Sequence, residues 1–126
     1  MTGPSLKPVV WVGSSRKDLR AFPELVQDHI GYSLYIAQRG GKYRDTKTLS
    51  GFGGAGMVEV IDNFRGDTFR AIYTVRYSDA IYVLHAFQKK SKTGHAMPRP
   101  EMQLIQQRLR EAEKIATRGS HEQDQV

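Results

Sequence analysis

Residues 57–89 decide the fold of this chain, and they read MVEVIDNFRGDTFRAIYTVRYSDAIYVLHAFQK. Three runs rich in β-branched and aromatic residues lie within this stretch: Met57 to Asp62, Thr68 to Arg76 and Ala80 to Lys89. Gly66 and the pair Ser78-Asp79 supply turn formers between the runs, so the spacing predicts an antiparallel meander of three strands. The last run is apolar on both alternating faces from Ile81 to Phe87, which predicts a central strand covered on both sides.

Upstream of the meander, the residues from Pro8 to Val12 predict a short strand, which Gly13 closes. Ser15 stands three residues before Asp18, a spacing that predicts a capped helix running to about Phe22.

A second helix is predicted from Glu24 to Gln38, because Pro23 interrupts the first and an apolar stripe follows at helical spacing. The stripe consists of Val26, Ile30, Leu34 and Ala37. Gly40-Gly41 should end this helix, and the polar stretch 42–50 is predicted to be a loop.

After the meander, the basic stretch 89–100 is predicted to be a loop because it contains Gly94 and two prolines. A third amphipathic helix should begin at Glu101 and end near Gly119. These elements predict the α+β class: a small, mostly antiparallel sheet with two N-terminal helices packed on it and a C-terminal helix. One domain spans residues 1–126, with a polar leader 1–8 and a polar tail 119–126.

The composition is that of an ordinary globular protein, with 126 residues, 39% hydrophobic and 25% charged, which excludes collagenous and low-complexity chains. The chain has no cysteine, which excludes disulfides. No apolar stretch has the length of a signal peptide or of a membrane-spanning helix, so we expect a cytoplasmic protein.

The net charge of +6 is concentrated between Arg65 and Arg99, a stretch that contains seven basic and two acidic residues. This bias predicts an anionic partner. A surface that only keeps a protein soluble mixes both signs of charge, so phosphodiester binding explains the bias better. Strand pairing should bring Arg70 close to Lys89 and Lys90, while Arg76 falls near the turn. For any single lysine, a solvated sheet edge is the plainer interpretation.

The segment 51–56 matches G-x-G-x-x-G, but a strand rather than a helix follows it, so we reject a dinucleotide-binding loop. His85 is the one histidine inside an apolar strand, where it is either a buried structural residue or an acid or base. The four histidines lack metal-ligand spacing, and no nucleophile motif is present. We therefore expect no metal and no cofactor.

The order of elements, together with four sequence motifs, resembles the RelE/ParE superfamily of toxins from bacterial toxin–antitoxin pairs, and most closely its phage-derived HigB-like branch. The motifs that carry the resemblance are Leu49 to Gly53, Val58 to Val60, Phe69 to Val75 and Val83 to Lys92. The last, an apolar strand running into HAFQKKSKTG, is the most specific. The resemblance implies a RelE-like fold and a toxin that cleaves mRNA on the translating ribosome. Its partners would be mRNA, the ribosome and a cognate antitoxin, for which we expect the helix-turn-helix type.

The resemblance also implies site residues. Arg70 matches the family arginine, Tyr73 the aromatic residue of the same motif, and Lys89 and Lys90 the basic residues after the last strand. We assign Arg70 and Lys90 to the phosphate, Lys89 to substrate or ribosomal RNA, and His85 to acid–base assistance.

Lys92, Arg76 and Tyr73 complete the expected substrate-binding set. Several relatives carry a Tyr or His near the chain end as the proposed acid or base, whereas this chain continues into a helix. A lysine of lowered pKa is the alternative proton carrier.

Two other functions remain open from the sequence. The ParE side of the superfamily is associated with blocking DNA gyrase without catalysis, and one fold can serve both activities. A plain RNA-binding module, with salt-sensitive affinity and no cleavage, is the third interpretation.

Overall fold

The structure of the protein is a computed structural model that describes residues 6–54, 56–89 and 97–124, with the side chains of the last helix described to residue 118. Its elements, in chain order, are β1 (Val9–Trp11), α1 (Ser15–Arg20), α2 (Glu24–Gln38), β2 (Thr46–Thr48), β3 (Met57–Phe64), β4 (Asp67–Thr74), β5 (Ile81–Lys89) and α3 (Arg99–Asp124). Within these ranges, no helix combines the length and the apolar character that crossing a membrane requires.

The strands form one mixed sheet in the order β1-β5-β4-β3-β2. β1 runs parallel to β5, and the other neighbours are antiparallel. The predicted meander is confirmed as β3, β4 and β5. β5 lies between β1 and β4 and is buried from Ile81 to Ala86, which confirms that it is a central strand covered on both faces. The architecture is therefore the predicted α+β arrangement.

The two faces of the sheet carry separate apolar layers. On one face, Leu19 of α1 and the α2 stripe of Val26, Ile30, Leu34 and Ala37 pack against alternate residues of the meander. On the other face, Ile105, Leu109, Ala112 and Ala116 of α3 pack against Met57, Ile72, Tyr82 and Leu84. The bounds predicted for α2 are confirmed, because Pro23 takes the N-cap position and Gly40 follows the C-cap residue with a φ of 85°.

Two predictions at the N-terminal half were wrong. The stretch 42–50 is not only a loop, because Thr46–Thr48 forms edge strand β2 against β3. Ser15 is not the cap of α1 either. Ser14 takes that position and its hydroxyl donates to the Asp18 carboxylate at 2.7 Å, whereas the buried Ser15 hydroxyl donates to the carbonyl of Val83.

The last helix is longer than predicted. It begins at Arg99, and it continues to Asp124 instead of ending near Gly119. Among its side chains described up to residue 118, the buried ones recur at helical spacing from Ile105 to Ala116, and the apolar members of this stripe pack on the sheet.

Candidate active site

A register shift in the β4–β5 ladder shapes the candidate site. Ile72 pairs with His85 and Tyr73 pairs with Val83, so Leu84 is an extra residue on β5. Because of this bulge, consecutive residues face α3: Leu84 joins the apolar layer under that helix, and His85 contacts its side chains. Past the bulge, His85 stacks on Phe87 with ring centroids 4.8 Å apart.

His85 is 6% exposed and lies between two charged side chains of α3. Its Nε2 contacts a carboxylate oxygen of Glu101, and its Nδ1 lies 3.4 Å from Nη1 of Arg108. A guanidinium has only donors, so Nδ1 of a neutral ring must be the acceptor. The proton of neutral His85 is therefore on Nε2, where it is directed at Glu101.

Arg108 is held from several sides. Nη1 donates to the Leu84 carbonyl at 2.9 Å, and Nη2 donates to the Ser14 hydroxyl at 2.9 Å. The backbone at Gly13 makes room for this side chain, since a Cβ there would lie 2.6 Å from Nε of Arg108. Arg108, which orients His85, therefore hydrogen-bonds both the start of α1 and the bulge of β5.

Arg70 lies on the same side of the sheet, in the middle of β4. It pairs with Phe87 in the ladder, is 2% exposed, and forms an ion pair with Glu59 at 3.3 Å. Nη1 is the nitrogen of that ion pair, whereas Nε has no hydrogen-bond partner among the residues described by the structure. A buried guanidinium donor without an acceptor is costly, so Nε is the donor that an incoming acceptor would satisfy.

The predicted approach of Arg70 to the basic end of β5 is confirmed by the register. Lys89 pairs with Thr68, two residues from Arg70 along β4, and it ends β5 in a partly buried position. Lys90 and Lys92 lie outside the described residues, so their assignment to the phosphate and the substrate stays a prediction.

The structure does not bring Tyr73 and Arg76 to this group. Tyr73 faces α2, where it is 2% exposed and its hydroxyl hydrogen-bonds Ser33 at 2.9 Å. Burial raises the pKa of Tyr73 above its ordinary value. Arg76 follows the far end of β4, and its Nη2 donates to the Phe52 carbonyl at 3.1 Å, which holds the glycine-rich segment. Both side chains therefore serve the packing of other regions.

The glycine-rich segment is followed by strand β3 and not by a helix. This agrees with the prediction that the segment is not a dinucleotide-binding loop. Gly56 has a φ of 93°, and a Cβ on it would lie 3.0 Å from the backbone of Arg76. The glycine thus allows a close backbone approach rather than a phosphate cradle. Over residues 6–54, 56–89 and 97–124, no group of three His, Asp or Glu side chains is arranged to hold a metal ion.

Sequence reasoning missed Glu101 and Arg108. One signal could have found them: Glu101, Ile105 and Arg108 follow the i, i+4, i+7 pattern, so two charges fall on the stripe that buries Ile105. Charged side chains on a helix face that packs on the core need hydrogen-bond or ion-pair partners, and here both contact His85 of β5.

Comparison with known protein families gives a match to most of the chain. The model of the family described as "Phage derived protein Gp49-like" matches residues 17–110, about three quarters of the chain. This span begins in α1 and includes the whole sheet from β2 onward, together with His85, Glu101 and Arg108. Searches of curated proteins and of solved structures found no match.

Proposed function

The chain belongs to the phage-derived Gp49-like family, which is associated with the toxins of toxin–antitoxin systems, and on that premise we propose that it is an mRNA endoribonuclease. Membership implies a cognate antitoxin as a partner. The proposed reaction is metal-independent cleavage of mRNA on translating ribosomes in the cytoplasm, which inhibits translation and arrests growth.

One observation carries the proposal: a histidine with a carboxylate at one ring nitrogen and a guanidinium at the other lies on the same face of the sheet as a buried arginine whose Nε has no hydrogen-bond partner among the described residues. Cleavage of RNA needs the 2′-hydroxyl to attack the adjacent phosphorus while the bond to the 5′-oxygen breaks. A protein that performs it must accept the 2′ proton, stabilise charge on the phosphate oxygens and protonate the leaving oxygen. We assign these three tasks to Glu101 with His85, to Arg70, and to the lysines at the end of β5.

In the proposed mechanism, the Glu101 carboxylate accepts the 2′ proton. Arg108 holds the imidazole so that Nε2–H of His85 donates to Glu101 and orients that carboxylate, which is the acid–base assistance assigned to His85. Glu101 is the outer member of the pair, with 29% of its side chain exposed, so substrate meets it first.

Arg70, which the sequence assigns to the phosphate, is proposed to bind it through Nε, because Nη1 is paired with Glu59. It is buried, so binding requires neighbouring side chains on this face to give way when RNA enters. Lys89, the last residue of β5, would add positive charge together with Lys90 and Lys92, and the ammonium of one of these lysines would protonate the 5′-oxygen. Tyr73 and Arg76, which lie elsewhere, would influence the substrate only through the fold.

The test is mapping of mRNA ends in cells that express the protein, with the Lys89→Ala variant beside the wild type. Discrete cuts within codons that weaken in the variant would support the nuclease. Lys114→Ala is the matched control, because Lys114 is exposed on the far half of α3. Intact mRNA together with DNA-damage signalling would instead indicate a gyrase inhibitor, and intact mRNA with salt-sensitive RNA binding would indicate a binding module.

A further inference from the structure

The surface of α2 that faces away from the sheet carries a hollow of about 360 Å³, far from His85. Its lining consists of Tyr32, Ile36, Lys42, Tyr43 and Arg44. The helix that carries Tyr32 and Ile36 packs on the opposite face of the sheet from α3, so the hollow and the His85 group open on different sides of the molecule. Nothing in the proposed cleavage reaction uses it.

The aromatic walls of the hollow are held in place. The rings of Tyr32 and Tyr43 are nearly perpendicular, with centroids 5.4 Å apart. Tyr43 also meets the edge of His29 at 5.6 Å, and His29 lies between the carboxylates of Asp45 and Asp62 at 3.4 and 3.2 Å. Because these contacts fix the ring of Tyr43 beforehand, a ligand stacking on it loses little conformational entropy.

The walls are also positively charged. Lys42 and Arg44 line the hollow on either side of Tyr43, and both are exposed. The acidic residue of this segment, Asp45, lies 3.4 Å from His29 and also hydrogen-bonds the Tyr43 side chain, so Lys42 and Arg44 outnumber the one carboxylate beside the hollow. Beside the hollow, the guanidinium of Arg39 lies 5.7 Å from the ring centroid of Tyr35. The patch therefore combines exposed aromatic rings with cations, the pairing that single-stranded nucleic acid binds.

We propose that this hollow is a second, non-catalytic binding site for single-stranded RNA, in which a base stacks on Tyr32 or Tyr43 and the flanking phosphates contact Lys42 and Arg44. The proposal rests on the proposed function, since that function makes RNA the anionic partner. Such a site would add affinity for the RNA strand, or for exposed ribosomal RNA, without contributing to bond cleavage.

RNA fits the hollow better than a protein helix does. A docked helix needs a continuous apolar stripe, whereas the exposed Leu25 is separated from Tyr32 by the polar Asp28 and His29. Tyr32 is 52% exposed, which leaves ring surface open to a flat base. The volume also lies at the lower end of the range for small-ligand sites, near the size of one nucleotide.

The experiment measures binding of an uncleavable 2′-O-methyl RNA of about ten nucleotides that contains 2-aminopurine, whose fluorescence falls on stacking. Binding to the full-length protein should quench the probe. Tyr43→Leu and Tyr32→Leu should each weaken binding about tenfold, while Tyr43→Phe, which keeps the ring, should bind like the wild type. Tyr77→Leu is the matched control, because Tyr77 is a partly buried tyrosine that packs in the layer under α3, on the opposite face of the sheet from the hollow.

A second variant removes any concern about folding. Lys42→Glu with Arg44→Glu changes only exposed side chains, and it should weaken binding more than about tenfold and reduce the salt dependence of the binding that remains. Equal affinity of the wild type, the leucine variants and this double variant would overturn the proposal, as would binding of an acidic peptide but not of RNA. The probe cannot be cut, so loss of mRNA cleavage with hollow-dependent binding intact would refute the nuclease alone.

Discussion

Nη1 of Arg108 lies 3.4 Å from Nδ1 of His85, and this contact determines which nitrogen of the buried imidazole carries a proton. The guanidinium can only donate, so the ring accepts at Nδ1 and presents its N–H to Glu101. Protonating Nδ1 would direct two N–H groups at each other. Arg108 of α3 thus sets the protonation pattern of His85 on β5, to which we assign acid–base assistance.

Arg108→Met should therefore lower the cleavage rate about 10- to 100-fold while leaving RNA affinity close to that of the wild type, because His85 loses its orientation. Single-turnover kinetics with separately measured RNA binding would check this. Arg108→Lys keeps the charge but cannot contact Ser14, Leu84 and His85 at once, so it should behave like the Met variant. Equal losses of rate and affinity would instead indicate general damage to the fold.

Gly13→Ala should reproduce part of the Arg108 defect. The residue has a φ of 58°, and the added Cβ would lie 2.6 Å from Nε of Arg108. Gly66→Ala is the control, because Gly66 has a φ of 85° and open space around its Cβ position. Both should lose about 1–2 kcal/mol in urea unfolding from backbone strain, but only Gly13→Ala should also slow cleavage. If Gly13→Ala and Gly66→Ala changed the cleavage rate equally, the Gly13–Arg108 contact would have no specific role in cleavage.

Glu59→Gln should destabilise the protein by about 3–5 kcal/mol, because it leaves the guanidinium of Arg70 buried without its counter-charge. The measurement is the urea midpoint at neutral pH. Glu59→Leu combined with Arg70→Met should recover most of the loss, since it removes both buried charges. If Glu59→Gln alone were as stable as the wild type, solvent would reach Arg70 and Glu59 would not be its main partner.

Tyr73→Phe gives a prediction with a defined pH dependence. Burial raises the pKa of Tyr73 above 10.0, so the folded protein keeps a proton that the unfolded chain loses as the pH passes 10. The stability that this group contributes is complete below pH 10 and declines above it. At neutral pH the variant should be about 1 kcal/mol less stable, because it loses the bond to Ser33.

Above pH 10 the difference between Tyr73→Phe and wild type should shrink or change sign. Tyr82, whose pKa burial also raises, is present in both proteins and cancels in the comparison. Urea unfolding on either side of pH 10 would measure this, and a constant difference would contradict the assignment of Tyr73 to the buried layer under α2.

Much of the fold follows from local patterns. Pro23 and the four-residue stripe fix α2, and the turn formers at Gly66 and Ser78-Asp79 fix the meander. Strand β2 escaped prediction because Thr46–Thr48 is short, polar and at the sheet edge, where pairing with β3 rather than apolar burial holds it. The length of α3 escaped because its last turns lie beyond the stripe that contacts the sheet.

The candidate site was only partly accessible from sequence. His85 and Arg70 stand out because charged or titratable side chains interrupt apolar strands, and the register that brings Arg70 toward Lys89 follows from the short turn. The bulge at Leu84 has no local signature, so the contact of His85 with α3 could not be foreseen. Tyr73 was assigned to substrate by its motif, although alternation along β4 turns it to the opposite face from Arg70.

The most direct test of the account is cleavage of a defined mRNA by the purified protein in a reconstituted translation reaction, comparing wild type with Glu101→Gln. The glutamine amide can still hydrogen-bond but cannot accept the 2′ proton, and circular dichroism and the urea midpoint would verify the fold of the variant. We predict discrete cuts by the wild type and a rate at least about 100-fold lower for the variant. Cuts of equal rate from a folded Glu101→Gln protein, or none from the wild type, would contradict the assignment.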